Sequence, residues 1–209
     1  MLKAHPQLVA VGAFCIGTNQ IDLPAAAAAG VAVFNAPYSN TRSVVELALG
    51  EIITMARRLG EKNANMHAGV WDKSANGSHE VRGRTLGIIG YGNIGSQLSV
   101  LAEGLGMKVY FYDIVDRLAL GNATRVYSLQ ELFERCETIT MHVDGRASNA
   151  NMIGEKEFAQ MRPRTLFLNL CRGNVVDVDA LAAALRSGHI AGAAVDVFPS
   201  EPKIGRAHV

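Results

Sequence analysis

Six consecutive residues, Gly90-Tyr91-Gly92-Asn93-Ile94-Gly95, carry glycine at the first, third and sixth positions. They directly follow the apolar run Leu86-Gly87-Ile88-Ile89 and open a segment with apolar residues at Ile94, Leu98, Leu101 and Ala102. A strand, then this turn, then a helix is the context in which the pattern binds a dinucleotide. The first glycine permits the tight turn, the second lets backbone approach a pyrophosphate, and the third lets the helix lie close to the strand. Unpaired N–H groups and the dipole at the helix start attract the phosphates. Asp113 adds a second, independent signal. It stands 18 positions after Gly95, at the end of the run KVYFY at residues 108–112. A carboxylate there can accept hydrogen bonds from both adenosine ribose hydroxyls and repels a 2′-phosphate, so the pattern predicts NAD rather than NADP. Arg117 nearby is read as a surface charge.

Such groups need a sheet to hold them. Strand-like runs at residues 86–89, 109–112, 138–142, 165–170 and 193–197 alternate with helical stretches near 95–105, 129–136, 155–161 and 179–187. The alternation predicts an α/β fold, a Rossmann-type doubly wound parallel sheet. Upstream, the apolar runs 8–12 and 31–34 flank an alanine-rich helix, with Asp22 and Pro24 as N-cap and first turn and Gly30 at its end; this is a β-α-β piece. Ser43 and Glu46 have capping-box spacing, and a helical pattern continues through Leu47, Ile52 and Met55 toward Leu59, which predicts a long helix linking two domains. The expected organisation is residues 1–38 as part of one domain, 39–71 as helix and link, and 72–202 as the nucleotide-binding domain. Residues 203–209, KIGRAHV, resemble the translation of a sequencing adapter and are read as a non-native tail.

Bulk properties narrow the function further. In 209 residues, 49% are apolar and 19% charged, enough for a packed core and too little charge for a disordered chain. A formal charge of +1 without a basic run gives no surface to track nucleic-acid phosphates, so no such partner is expected. Cys15, Cys136 and Cys171 are odd in number and far apart, which fits reduced thiols better than disulfides or a metal site; no metal is expected. No apolar stretch reaches the 18 or so residues that span a bilayer, and no signal pattern opens the chain. The expectation is a cytoplasmic protein without membrane attachment.

Several blocks in one order carry a resemblance: FCIGTNQ at 14–20, NAPYSNTRSV at 35–44, HAGVW at 67–71, GIIGYGNIG at 87–95, Arg172-Gly173 followed by Val175-Val176-Asp177, and GAAVDVFPSEP at 192–202. Together they resemble the D-isomer-specific 2-hydroxyacid dehydrogenases, in particular the bacterial branch acting on D-3-phosphoglycerate at the entry to serine synthesis. The resemblance implies an NAD-dependent oxidoreductase with a flavodoxin-like substrate domain, present here only in part. It also implies roles for single residues. Arg172 matches the arginine that holds the substrate carboxylate, a task for which a planar guanidinium fork is suited. Glu201 matches the glutamate that pairs with a catalytic histidine, raising its pKa and orienting it. Asp196 matches the carboxylate beside the nicotinamide carboxamide, Leu170 and Cys171 the backbone running along the cofactor, and Asn93 and Ile94 the phosphate-facing turn. Asn40 matches a substrate-contacting asparagine and can equally cap the following helix.

Two departures stand out: Asp144 occupies a position where the family usually has proline after His-Val, and Leu170-Cys171 replaces smaller residues. The family's general acid/base histidine lies beyond the glutamate, so the chain is expected to be an inactive fragment; His67, His79, His142, His189 and His208 are not substitutes. The expected ligand is a small 2-hydroxy or 2-keto acid, and the interdomain helix implies a homo-oligomer. Two alternatives stay open, another D-2-hydroxyacid dehydrogenase and a non-catalytic NAD-binding module like the corepressors of this fold.

Overall fold

The computed structural model describes residues 4–18 and 20–200. The chain divides into two units, Met1–Val44 and Val45–Val209. In the first, β1 (Ala10–Ala13) and β2 (Ala32–Asn35) pair in parallel with Ala10 opposite Ala32. Helix α1 (Leu23–Ala28) joins them. Asp22 caps it as its type dictates, its Oδ1 accepting the Ala25 N–H at 3.0 Å, and proline opens its first turn.

Helix α2 (Thr41–Ala56) crosses the division between the units. It begins two residues before Ser43, so Ser43 lies inside the first turn and not at the cap the spacing suggested. It also stops short of Leu59. Arg58 adopts a left-handed backbone at φ 54°, and a separate helix α3 (Leu59–His67) follows. Arg58 Nε donates to Glu61 at 2.7 Å and its Nη1 reaches the Asn76 carbonyl, tying down a residue type that seldom adopts positive φ.

The second unit holds a six-stranded sheet: β3 (Thr85–Ile89), β4 (Lys108–Tyr112), β5 (Thr124–Arg125), β6 (Thr138–Met141), β7 (Thr165–Asn169) and β8 (Ile190–Val195). All neighbours are parallel and the spatial order is β5-β4-β3-β6-β7-β8. The order reverses between β3 and β6, and a crevice opens at such a switch, outside the carboxyl ends of the strands. β6 and β7 are buried at every position, as apolar runs covered on both faces should be. The connecting helices are α4 (Asn93–Gly104), α5 (Leu129–Arg135), α6 (Glu155–Gln160) and α7 (Val178–Arg186). Ser128 caps α5 and Asp177 caps α7 through their side-chain oxygens. The core joins Phe133, Ile139, Met141, Phe158, Phe167 and Leu181, with Phe158 edge-on to Phe167 at 5.1 Å. β5, only two residues long, escaped the sequence reading, and β8 begins three residues before the expected run.

Candidate functional site

The glycine turn leaves β3 and enters α4. Gly90 has φ 93°, outside the range of side-chain-bearing residues, and a Cβ there would stand 2.6 Å from the His142 carbonyl oxygen. A Cβ on Gly95 would stand 2.2 Å from the Gly90 carbonyl oxygen, so helix and turn touch backbone to backbone. Gly92 differs, because a Cβ there would meet nothing within 4 Å. Gly92 is the N-cap of α4 and no side chain caps that end, so the first N–H groups of the helix are free to take an anion from the open side. Two glycines are consumed by packing and the middle one faces space. This is the division of labour a bound pyrophosphate requires.

Asp113 directly follows β4. Its Oδ2 accepts the Tyr91 N–H at 2.7 Å and its Oδ1 accepts the Val115 N–H at 2.8 Å. These bonds fix the carboxylate beside the glycine turn, and each oxygen keeps a lone pair for a ribose hydroxyl. Arg117 Nε lies 3.8 Å from Asp113 Oδ2. Tyr91 is itself held: its ring stacks on Phe111 at 3.7 Å, and its hydroxyl lies 2.6 Å from Ser99 Oγ and accepts the Leu120 N–H.

A cavity of about 410 Å³ opens between the ends of β3 and β6, lined by Gly90, Gly92, Asn93, Asp113, His142 and Arg146 among others. His142 is partly buried and its Nε2 lies 3.0 Å from Thr140 Oγ1, while Nδ1 is buried with no partner among the described residues. Burial pulls its pKa down to about 4, so the ring is neutral near pH 7 and is no proton store for catalysis. The loop after it is a further part of the cleft that sequence reasoning left out, apart from the departure at Asp144. Arg146 Nε donates to Asp144 Oδ1 at 2.7 Å, and Asn149 Nδ2 donates to the Asp144 carbonyl at 2.9 Å. The Arg146 guanidinium holds the Asp144 carboxyl below the usual range. The available signal was position alone, since loops after the carboxyl ends of parallel strands carry ligands.

The other sequence candidates distribute around the same edge. Ile94 is the second residue of α4 and partly buried, with Gly95 buried behind it. Leu170 and Cys171 follow β7 and are buried; burial raises the Cys171 thiol, which keeps it protonated. Arg172 comes next and is exposed. Its Nη1 donates to the Cys171 carbonyl at 2.6 Å, and its Cγ lies 3.0 Å from where a Gly145 Cβ would stand, beside the cleft loop. It does not line the glycine-turn cavity itself. Gly173 has a reason of its own, because a Cβ there would fall 2.0 Å from the Phe198 backbone carbon. Asp196 follows β8, exposed, its N–H donating to the Asn169 carbonyl at 3.1 Å. Asn40 belongs to the other unit, where its carbonyl accepts the Val44 N–H at the start of α2. Glu201 and the tail 203–209 lie outside the described residues. No helix among the described residues is long and apolar enough to cross a membrane.

The similarities to known proteins agree with this geometry. A D-3-phosphoglycerate dehydrogenase of Haemophilus influenzae is 58% identical over 202 residues, 97% of this chain and 49% of that protein. The D-3-phosphoglycerate dehydrogenase 2 of Saccharomyces cerevisiae is 52% identical over the same share of the chain. The chain thus spans about half the length of the curated relatives it matches. Among solved structures, holo D-mandelate dehydrogenase of Rhodotorula graminis superposes with a TM-score of 0.88 at 31% identity, covering 96% of this chain and 62% of that one. D-lactate dehydrogenase of Lactobacillus jensenii with NAD+ does so with a TM-score of 0.86 at 29% identity, covering 98% and 64%. Residues 49–208 match the profile of the D-isomer specific 2-hydroxyacid dehydrogenase, NAD binding domain. A glycine turn with its middle residue open, a carboxylate fixed beside it and this profile converge: the chain belongs to the D-isomer-specific 2-hydroxyacid dehydrogenase family and carries its NAD-binding domain.

Proposed function

We propose that the protein to which this chain belongs is an NAD-dependent dehydrogenase that oxidises D-3-phosphoglycerate at C2 to 3-phosphohydroxypyruvate. The observation that carries the reading is the gathering of the open Gly92 turn, Asp113 and Arg172 at the carboxyl ends of β3, β4 and β7. In this reading Gly92, Asn93 and Ile94 receive the pyrophosphate on backbone N–H groups, and Asp113 accepts the ribose hydroxyls. NAD supplies the acceptor for the hydride that leaves C2.

Arg172 holds the substrate carboxylate and fixes C2 in place. To do so its Nη1 exchanges the Cys171 carbonyl for a carboxylate oxygen, trading a neutral acceptor for a charged one. Asp196 orients the carboxamide end, while the Leu170-Cys171 backbone runs along the cofactor. Asn40 contacts the substrate, and Glu201 orients the general acid/base. Oligomeric assembly through the α2 region belongs to the same proposal, as does a cytoplasmic setting.

The test uses the chain itself in two steps. NADH is titrated first, then 3-phosphohydroxypyruvate is added to the saturated complex. The reading expects Arg172→Lys to leave NADH affinity unchanged and to weaken the keto acid by ~10-fold or more, since lysine cannot form the fork. Equal keto-acid binding in both proteins contradicts the role given to Arg172. Binding of lactate- or mandelate-type acids in preference to the phosphorylated one would move the substrate to a different branch. Turnover of 3-phosphoglycerate with NAD+ by these 209 residues is expected to be negligible, because burial holds His142 at a pKa of about 4, too weak a base to take the hydroxyl proton near pH 7, and Thr140 engages its Nε2.

A further inference from the structure

At the opposite end of the sheet lies a second cavity of about 240 Å³. It is lined by Arg84, Glu137, Arg162 and Arg164, with His79 and Met55 at its side. Arg84 immediately precedes β3, Glu137 precedes β6 and Arg164 precedes β7, so the amino ends of parallel strands bring together residues up to 80 positions apart. Three arginines and one carboxylate thus line one cavity.

That carboxylate is also shared. Glu137 Oε1 lies 3.4 Å from Arg84 Nη2, while its Oε2 accepts the Thr85 N–H at 3.1 Å. Arg84 Nε is buried and has no hydrogen-bond partner among the described residues. Arg162 gives one donor to the Arg135 carbonyl at 3.5 Å and keeps the others. The Arg164 guanidinium has neither ion pair nor hydrogen bond among the described residues.

Arg164 is placed at a structural cost. The Thr165 N–H donates to the Arg162 carbonyl at 3.2 Å, which closes a turn with Pro163 and Arg164 at its centre. Arg164 has φ 70° there, a position that favours glycine or asparagine. A long cationic side chain held in left-handed backbone beside two other cations needs a reason beyond the turn itself. Three forked donor groups with a single carboxylate among them, around a small cavity, match a tetrahedral dianion. The volume is below the roughly 300–1,000 Å³ of sites for drug-sized ligands and suits a single phosphate group on a small molecule.

We propose that this amino-edge cavity is an anion site that binds a phosphate group, free or on a small phosphorylated acid, through Arg84, Arg162 and Arg164. It is separate from the glycine-turn cleft, and none of its lining residues lines that cleft.

Arg164→Gly is the discriminating variant, because glycine suits the backbone at φ 70° and the substitution removes the cationic side chain without straining the turn. Inorganic phosphate and, separately, 3-phosphoglycerate are titrated by calorimetry into the chain saturated with NADH, which occupies the other phosphate-attracting turn. Wild-type chain is expected to bind at least one of them, and Arg164→Gly to weaken that binding by ~10-fold or more with NADH affinity unchanged. Within the binding that Arg164→Gly removes, a preference for inorganic phosphate identifies free phosphate as the source and a preference for 3-phosphoglycerate identifies the phosphorylated acid, since binding at Arg172 is untouched by the substitution. A wild-type chain that binds neither at millimolar concentration overturns the proposal. So does equal binding by Arg164→Gly, or a heat signal that chloride reproduces at the same ionic strength.

Discussion

The two ends of the six-stranded sheet share the same strands and differ in almost everything else. At the carboxyl end, positive charge comes from backbone: free N–H groups at the uncapped start of α4, beside a turn whose middle glycine opens on space. The side chain fixed there, Asp113, is acidic and is held by two N–H groups. At the amino end the backbone offers no such turn, and the charge comes from the side chains of Arg84, Arg162 and Arg164. A backbone cradle is rigid and can be aimed at a diphosphate while leaving room for a carboxylate that reads the ribose. A cluster of arginine forks sits on flexible stems, so it adapts to a small anion without fixing the shape of what carries it. The carboxyl end is therefore built to recognise a particular dinucleotide, and the amino end to recognise a charge.

The strongest way to break that contrast is Gly95→Ala. Its Cβ would fall 2.2 Å from the Gly90 carbonyl oxygen, and neither backbone can yield without moving β3 or α4. NADH binding should fall more than ~100-fold, accompanied by a lower melting temperature from overpacking of ~1–3 kcal/mol. Gly92→Ala serves as its partner. Its Cβ meets nothing in the protein, so stability should hold while NADH affinity alone drops, as dye-monitored melting beside an NADH titration will show. An equal loss of stability in both variants would contradict the assignment of Gly92 to the ligand.

Next in size is Asp113→Ala, which removes the ribose acceptor and uncovers Arg117. NADH should weaken by ~10-fold, and discrimination against NADPH should shrink at the same time, given that each charged hydrogen bond contributes ~1.5–3 kcal/mol. Competitive titration of the two cofactors measures both effects. Undiminished preference for NADH would show that Asp113 does not read the ribose.

How much of this was legible in the sequence depends on distance along the chain. The glycine turn, Asp113 and the Asp22 cap are local signals, readable because a few adjacent residues satisfy one geometry. The alternation of runs gave the parallel sheet for the same reason. Arg58 ended the long helix early, yet nothing in its residue type announces a left-handed backbone; its contacts with Glu61 and Asn76 decide it. Ser43 has the right spacing for a cap, but α2 starts two residues earlier, at Thr41. The loop 144–149 entered the cleft unannounced, because its place depends on β6 pairing with β3. The amino-end arginines were invisible, since Arg84 and Arg164 become neighbours only once β3, β6 and β7 lie side by side.

The smallest effect concerns pH. His142 is held near pKa 4 in the fold and titrates near 6.5 when unfolded. Between these values the unfolded chain binds more protons, so stability rises with pH across this window and is fully present above about 6.5. Its loss on acidification to about pH 4 should be on the order of 1–2 kcal/mol, allowing for the ring's partial contact with solvent. Asp144 and Asp72, with lowered pKa values, lose their contribution only below the ordinary carboxylate range, so the two windows separate. Urea midpoints of wild type and His142→Gln from pH 7 to 5 should converge as pH falls. Parallel curves would show that His142 is not protonated on unfolding.

Amide hydrogen exchange with and without NADH tests the contrast between the two ends most directly. Added cofactor should slow exchange at Asn93, Ile94, Val115 and residues 143–149, and leave Arg162, Arg164, Thr165 and residues 84–85 unchanged. Protection confined to the amino end, or none at the glycine turn, would contradict the central claim that the carboxyl end of this sheet seats the dinucleotide.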